Sequence, residues 1–262
     1  MPNWLPLLVE PEQLQSSLQD PNLVIVDLSR LPSYVTHHIP AAIHLEYAAL
    51  VKSAPPVMGL LPDLRHLQSA LQALGIHPDA HVVAYDDEGG GKASRLLWTL
   101  DSIGHPGLSL LNGGIQAWIG SGYATETTKN SVAKTEYKIR QYLAHTIADK
   151  HYVLQHIDDP NVIFLDTRTA GEYSGKDVRA ARGGHIPGAI HLEWTANIDI
   201  NNAVRLKPCD VIEAQLQALN ITRDKTVVTY CQTHHRSSHT YMTLKILGFE
   251  QIKGYPGAWV TF

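Results

Sequence analysis

Two hydrophobic patterns alternate along the chain. Short β-branched runs without a polar face recur as "NLVIVDL" (22–28), "HVVAY" (81–85), "NVIFLDT" (161–167) and "TVVTY" (226–230), the pattern of strands covered on both sides. Between them lie stretches with apolar residues at helical spacing: "DLRHLQSALQALGI" (63–76), "ASRLLWTLDSIG" (93–104), "DVIEAQLQALNI" (210–221) and "SSHTYMTLKILG" (237–248). Asp63 and Asp210 are the expected N-caps. Gly75, Gly104, Asn220 and Gly248 stand where helices end in a left-handed residue. Strand and helix in strict alternation predict an α/β protein with mainly parallel sheets, and functional loops at the carboxyl ends of the strands.

The pattern occurs twice. "LQALGIHPDAHVVAYD" (71–86) and "LQALNITRDKTVVTYC" (216–231) run in step 145 positions apart. "HIPAAIHLE" from His38 matches "HIPGAIHLE" from His185, and "NGGIQAW" ending at Trp118 matches "KGYPGAW" ending at Trp259. The blocks keep their order, so the chain is a duplicated domain rather than a short-period solenoid. The expected boundaries are a first domain over 1–122, a linker over 123–147, read as an extended arm touching both halves, and a second domain over 148–262.

Composition narrows the function classes. Of 262 residues, 44% are hydrophobic and 18% charged, enough to build packed cores. The net charge is −4 with no basic block, so no nucleic-acid partner is expected. No apolar run approaches the length of a membrane span, so no membrane partner is expected either. The N-terminal "MPNWLPLLVEPEQL" carries Pro and Glu inside its apolar part and no basic region before it. A secretory leader is therefore not expected, and a cytoplasmic location is. With only Cys209 and Cys231, a secreted disulfide framework is not expected and each thiol is judged singly.

Cys231 ends a strand and is followed by Gln232, Thr233, His234, His235 and Arg236 before a helix starting near Ser237. Backbone N–H groups in a tight strand-to-helix turn converge into an anion-binding nest, and the helix N-terminus adds partial positive charge. A thiol there is held toward the nucleophilic thiolate. A core cysteine would not precede five polar residues. Cys209 has neither a feeding strand nor a basic neighbour and is read as a bystander. A phosphatase loop needs five residues between cysteine and arginine; this chain has four, and the tighter cradle suits a sulfur anion better. His235 and His239 stand four apart, but no zinc-ligand pattern supports them, and no cofactor is expected.

These marks together resemble the rhodanese family, specifically its two-domain sulfurtransferases. They are the strand aspartates Asp27 and Asp166, "GGHIPGAIHLEW" (183–194), the strand ending in Cys231, and "GYPGAW" (254–259). The loop "CQTHHRS" looks like that of bacterial thiosulfate sulfurtransferases and lacks the glycine-rich sequence of mercaptopyruvate enzymes. The resemblance implies two tandem rhodanese-like domains, each a mainly parallel sheet flanked by helices. It implies a thiosulfate sulfurtransferase in which Cys231 takes sulfur from thiosulfate as a persulfide and passes it to cyanide, a thiol or a protein acceptor. Gln232, Thr233, His234, His235 and Arg236 would bind the donor. Mercaptopyruvate as donor, and a persulfide carrier serving a protein partner, are the alternatives. Where related enzymes carry a second substrate-binding arginine after the strand aspartate, this chain has Glu172, so Arg236 is expected to take the cationic role, with Arg179 and Arg182 as auxiliary cations or solvated surface. Arg168, matched in the first copy by Arg30, is expected to fix the loop after its aspartate, and the duplicated His38 and His185 to serve the fold. Asp86 replaces the thiol in the first copy, whose loop is acidic, glycine-rich and one residue longer, so that half is expected to be inert in sulfur transfer.

Overall fold

The protein is described by a computed structural model covering residues 5–261; the first four residues of the N-terminal stretch discussed above lie outside the described residues. The first copy contains strands β1 (Leu8–Val9), β2 (Leu23–Asp27), β3 (Ile43–His44), β4 (Lys52–Ala54), β5 (Val57–Leu60), β6 (His81–Tyr85) and β7 (Gly107–Leu111). The second contains β8 (Val162–Asp166), β9 (Ile190–His191), β10 (Ile198–Asp199), β11 (Arg205–Leu206), β12 (Thr226–Tyr230) and β13 (Ile252–Gly254). The helices of the first copy are α1 (Pro11–Ser17), α2 (Leu31–Thr36), α3 (Leu64–Ala73), α4 (Gly91–Asp101) and α5 (Gly114–Gly120). Those of the second are α6 (Lys150–His156), α7 (Ala170–Ser174), α8 (Cys209–Ala218), α9 (Arg236–Ile246) and α10 (Ala258–Thr261).

Two compact units result, and neither is a single stretch of chain. One comprises residues up to Val51, Pro62–Tyr142 and Asp199–Leu206; the other comprises Lys52–Leu61, Leu143–Ile198 and Lys207 onward. The first unit is built on a parallel sheet in the order β1-β7-β6-β2-β3, the second on β13-β12-β8-β9. The strand before Asp86 and the strand before Cys231 hold the same inner place. All five residues of β6 are buried, as are Val227–Tyr230 of β12. This is why those runs lack a polar face. Among the described residues, no helix is long and apolar enough to cross a membrane.

The duplicated motifs have a common physical role. Tyr85 and Tyr230 end the inner strands fully buried, and each phenol oxygen accepts the N–H of the isoleucine in a His-Ile-Pro segment, Ile39 at 3.1 Å and Ile186 at 3.2 Å. His38 and His185 stack on Tyr34 and Tyr173 at 4.0 and 3.8 Å, and each ring Nδ1 bonds the carbonyl of the tyrosine it covers. Both histidines thus hold the fold, as their presence in both copies predicts. The cores form around these tyrosines, with Ile25, Val83 and Trp118 in the first unit and Phe164, Val228 and Trp259 in the second.

Several local expectations change. Asp63 caps α3, but α8 is capped at Pro208 and Asp210 falls in its first turn, where its charge still favours the helix N-terminus. Arg30 is not the counterpart of Arg168: its side chain is 76% exposed and pairs with Asp87, and Ser29 donates its N–H to Asp27 instead. The stretch 123–142 belongs to the first unit, where Thr135 bonds Gln72 and Ile76, Ile139 bonds Gln68, and Tyr142 bonds the Pro62 carbonyl.

Candidate active site

Strand β12 delivers Cys231 to the bottom of a turn that closes onto α9, and the residue is completely buried. The Thr233 and Ser237 N–H groups and the Ser237 hydroxyl point at its sulfur, and Arg236 sets its charge beside it. Burial alone pushes the Cys231 thiol up. Arg236 and these donors outweigh burial and leave the thiol below its ordinary value. His234 makes the turn possible by adopting the left-handed conformation (φ 59°), a strained choice for a residue with a side chain. Its buried Nδ1 lies 2.7 Å from the Ser237 oxygen. A hydroxyl has one proton, and Ser237 gives its proton to the sulfur, so the His234 Nδ1–H donates to the hydroxyl.

Of the loop residues named from the sequence, Thr233 and Arg236 are brought directly to the sulfur, and His234 reaches it through Ser237. Gln232 turns away and donates its amide to the Arg179 carbonyl at 2.9 Å. His235 caps α9, with its ring 6.4 Å from that of Trp194. His239, completely buried, stands edge-on to Trp194 at 5.3 Å; burial, with His235 adding to it, lowers its ring to about 4, so it is neutral.

Glu172 was read as a residue that withholds charge from the site, and it is instead the partner of the site's arginine. Its oxygens accept both Arg236 nitrogens, at 2.6 and 2.9 Å, and its side chain is 1% exposed. It also closes a capping box with Thr169 at the start of α7. Burial works against its charge, but Arg236 overrides burial and holds the carboxyl down to about 2. Arg236 is therefore a fixed, charge-compensated cation rather than a free one. Arg168 makes the corresponding bidentate contact with Asp166, its Nη2 lying 2.6 Å from a carboxylate oxygen, and donates to the Gly184 carbonyl, fixing the loop as expected.

The first copy shows what the same turn does without a thiol. The Asp86 carboxylate accepts the N–H groups of Glu88, Gly90 and Ala93 at 3.0, 2.8 and 3.0 Å. Its nest is filled by its own side chain. Asp86 and Cys231 lie 145 positions apart, whereas the matching helix donors Ala93 and Ser237 lie 144 apart, so the additional residue is in the loop, as predicted. Lys92, at the place of Arg236, pairs with Asp87 and Glu88. Arg95 is completely buried, its guanidinium 4.9 Å from the Trp98 ring.

Sequence reasoning did not anticipate the hairpin β4–β5, which belongs to the compact unit of Cys231. Gly59 has φ +76°, and a Cβ placed on it would lie 2.2 Å from the Thr233 carbonyl oxygen and 2.6 Å from the Thr233 Cβ. Only glycine fits that conformation and that gap. Gly59→Ala is expected to displace Thr233, reduce sulfur transfer at least about tenfold and cost about 1–3 kcal/mol in urea unfolding. Gly120→Ala, where a Cβ meets nothing within 4 Å, serves as the control and should leave both unchanged. Equal behaviour of the two variants would disprove the contact's importance.

Comparison with known proteins agrees with this architecture. Two stretches, residues 10–121 and 149–262, match the rhodanese-like domain. A thiosulfate sulfurtransferase of Azotobacter vinelandii is 40% identical, the match covering 97% of this chain and 93% of that protein. The sulfur carrier protein TtuD of Thermus thermophilus is 29% identical, with 97% and 92% covered. The crystal structure of SseA from Escherichia coli, described as a 3-mercaptopyruvate sulfotransferase, superposes with a TM-score of 0.87 at 24% identity, covering 97% of this chain and 99% of that one. With the domain matched in both halves and Cys231 seated in a cradle of donors, the chain belongs to the rhodanese family as a tandem-domain sulfurtransferase.

Proposed function

We propose that the protein is a thiosulfate sulfurtransferase acting through a persulfide on Cys231. The observation that carries the reading is the seat of Cys231: a thiol held below its ordinary value by Arg236, Ser237 and Thr233. The thiolate attacks the outer sulfur of thiosulfate. The S–S bond of the donor breaks, sulfite leaves with its electron pair, and the transferred sulfur stays on Cys231. Cyanide or a thiolate then attacks that outer sulfur and regenerates the Cys231 thiolate. The N–H groups of Thr233 and Ser237 favour each anionic state of the sulfur in turn. Gln232 and His235 complete the donor-binding loop in this reading. Similarity to a thiosulfate sulfurtransferase over nearly the whole chain supports the choice of donor. A cytoplasmic location is part of the reading and rests on two unpaired cysteines.

Mass spectrometry after exposure to thiosulfate tests it. One sulfur atom should be gained on Cys231 and none on Cys209, and cyanide should remove it. Absence of that gain would overturn the proposal. Steady-state rates should favour thiosulfate over mercaptopyruvate. The similarity to a sulfur carrier protein favours one second reading, delivery to a protein acceptor. In that case the persulfide would form but discharge slowly to cyanide.

A further inference from the structure

Tyr34 and Tyr173 occupy equivalent places. Each stacks on the histidine of His-Ile-Pro, lies near a second histidine (His44 or His191), and donates its hydroxyl to Ala42 or Ala189. Three residues separate Tyr34 from His38, whereas eleven separate Tyr173 from His185. The copy with the thiol thus carries eight residues that the copy without it lacks. They fall within "SGKDVRAARGG" (174–184), which holds three cations and one carboxylate.

The base of this insert is tightly fixed. The Asp177 N–H donates to Gly171 at 3.0 Å, Arg168 donates to Gly184 at 2.7 Å, and a Cβ on Gly175 would lie 2.9 Å from the Gly184 nitrogen. Its crest is tied to the two neighbours of the nucleophile. Gln232, next in sequence to Cys231, donates to the Arg179 carbonyl at 2.9 Å. The Trp259 indole donates to the Arg182 carbonyl at 3.1 Å, and the Trp259 N–H donates to the Cys231 carbonyl at 3.2 Å. The side chains of Lys176, Arg179 and Arg182 remain exposed, and among the described residues neither arginine has an ion-pair partner. Arg236 is different, its charge being compensated by buried Glu172.

We infer that Arg179 and Arg182 form the cationic rim that captures an anionic sulfur donor and passes it to Cys231. The inference rests on Cys231 being the sulfur-accepting thiol and adds the residues that select a dianion. A doubly charged donor gains little from the neutral Arg236–Glu172 pair at a distance, and unpaired arginines beside a buried nucleophile raise its local concentration. The rim acts on capture rather than on bond exchange, because its side chains are tied to the sulfur only through their backbone.

Alkylation of Cys231 by iodoacetate and by iodoacetamide, reagents of similar size that differ in charge, isolates this effect from sulfur chemistry. In Arg179→Gln/Arg182→Gln the ratio of the two rates should fall about 3- to 10-fold at low ionic strength. In the wild type, salt at about 1 M should bring the ratio to the variant's value. Arg179→Lys/Arg182→Lys should restore it. The kcat/KM for thiosulfate should fall in parallel, with kcat at saturating donor within about twofold. An unchanged alkylation ratio in the glutamine variant overturns the inference. If wild-type Cys231 takes no sulfur from thiosulfate, the donor assignment falls, and the alkylation ratio still decides whether the rim attracts anions.

Discussion

Cys231→Ser should abolish sulfur transfer, by at least about a thousandfold, while leaving the fold intact. Serine keeps an oxygen where the sulfur was, so Thr233 and Ser237 retain an acceptor for their N–H groups and the turn has no reason to open. What is lost is chemical. A hydroxyl is not ionised by this environment, and it cannot form the S–S bond on which the reaction depends. Effects of this size are typical when an essential nucleophile is removed. The first copy cannot rescue the variant, because Asp86 fills its own nest with three N–H bonds. Cys209→Ser should behave as the wild type, since Cys209 is exposed at the start of α8. Thiosulfate:cyanide assays with circular dichroism check the set. Residual activity in Cys231→Ser that disappears with Cys209→Ser would transfer the role to the wrong-looking cysteine and sink the assignment.

Glu172→Gln should cost about 3 kcal/mol of stability at neutral pH. The wild-type carboxylate is buried, held down to about 2 and bound by both Arg236 nitrogens. Removing one member of such a pair leaves the other charge uncompensated. The pH dependence has a definite sign. The folded value lies below the ordinary 4.5, so the stabilisation is complete above about pH 5 and is lost as pH falls from there toward 2. Wild type and variant should therefore differ most at neutral pH and converge in acid. The same substitution removes the negative charge that compensates Arg236, so the Cys231 thiol should titrate still lower, visible as a shifted pH profile of iodoacetamide alkylation. Urea unfolding across pH 2–7 measures the first effect. Stability within 0.5 kcal/mol of wild type at pH 7, with an unmoved alkylation profile, would show that the pair has no such role.

Much of the architecture was legible because duplication supplies an internal comparison. A residue kept in both copies, such as His38 and His185, declares a fold role. A residue that differs, such as Asp86 against Cys231, marks where the two copies part in chemistry. The inner strands were legible for a simpler reason: burial on both faces fills the middle of β6 and β12 with β-branched and other apolar residues, Val82–Ala84 and Val227–Val228. The helix after Cys231 was legible as a helix, but the burial of its polar first turn was not. Its Ser237, Ser238, His239 and Thr240 are polar and all buried; the Ser237 hydroxyl is bonded within the turn and the Ser238 hydroxyl donates to the His234 carbonyl at 2.5 Å. Hydrophobic periodicity does not register the burial of polar positions.

From the sequence alone followed the duplicated α/β organisation, the strand end that carries Cys231, the four residues between it and Arg236, and the replacement of that thiol by Asp86 in the first copy. All of these are local, set by periodicity, by strand ends and by the chemistry of one side chain. Tertiary structure decided which distant residues meet. It turned Glu172 from an absent cation into the partner that fixes Arg236, placed Gly59 of the first copy against Thr233 of the Cys231 turn, and tied the insert around Arg179 and Arg182 to Gln232 and Trp259. Such pairings span tens to nearly two hundred positions, and no spacing rule along the chain encodes them. They arise only when packed sheets bring the loops together, because a contact's energy depends on distance in space rather than separation in sequence.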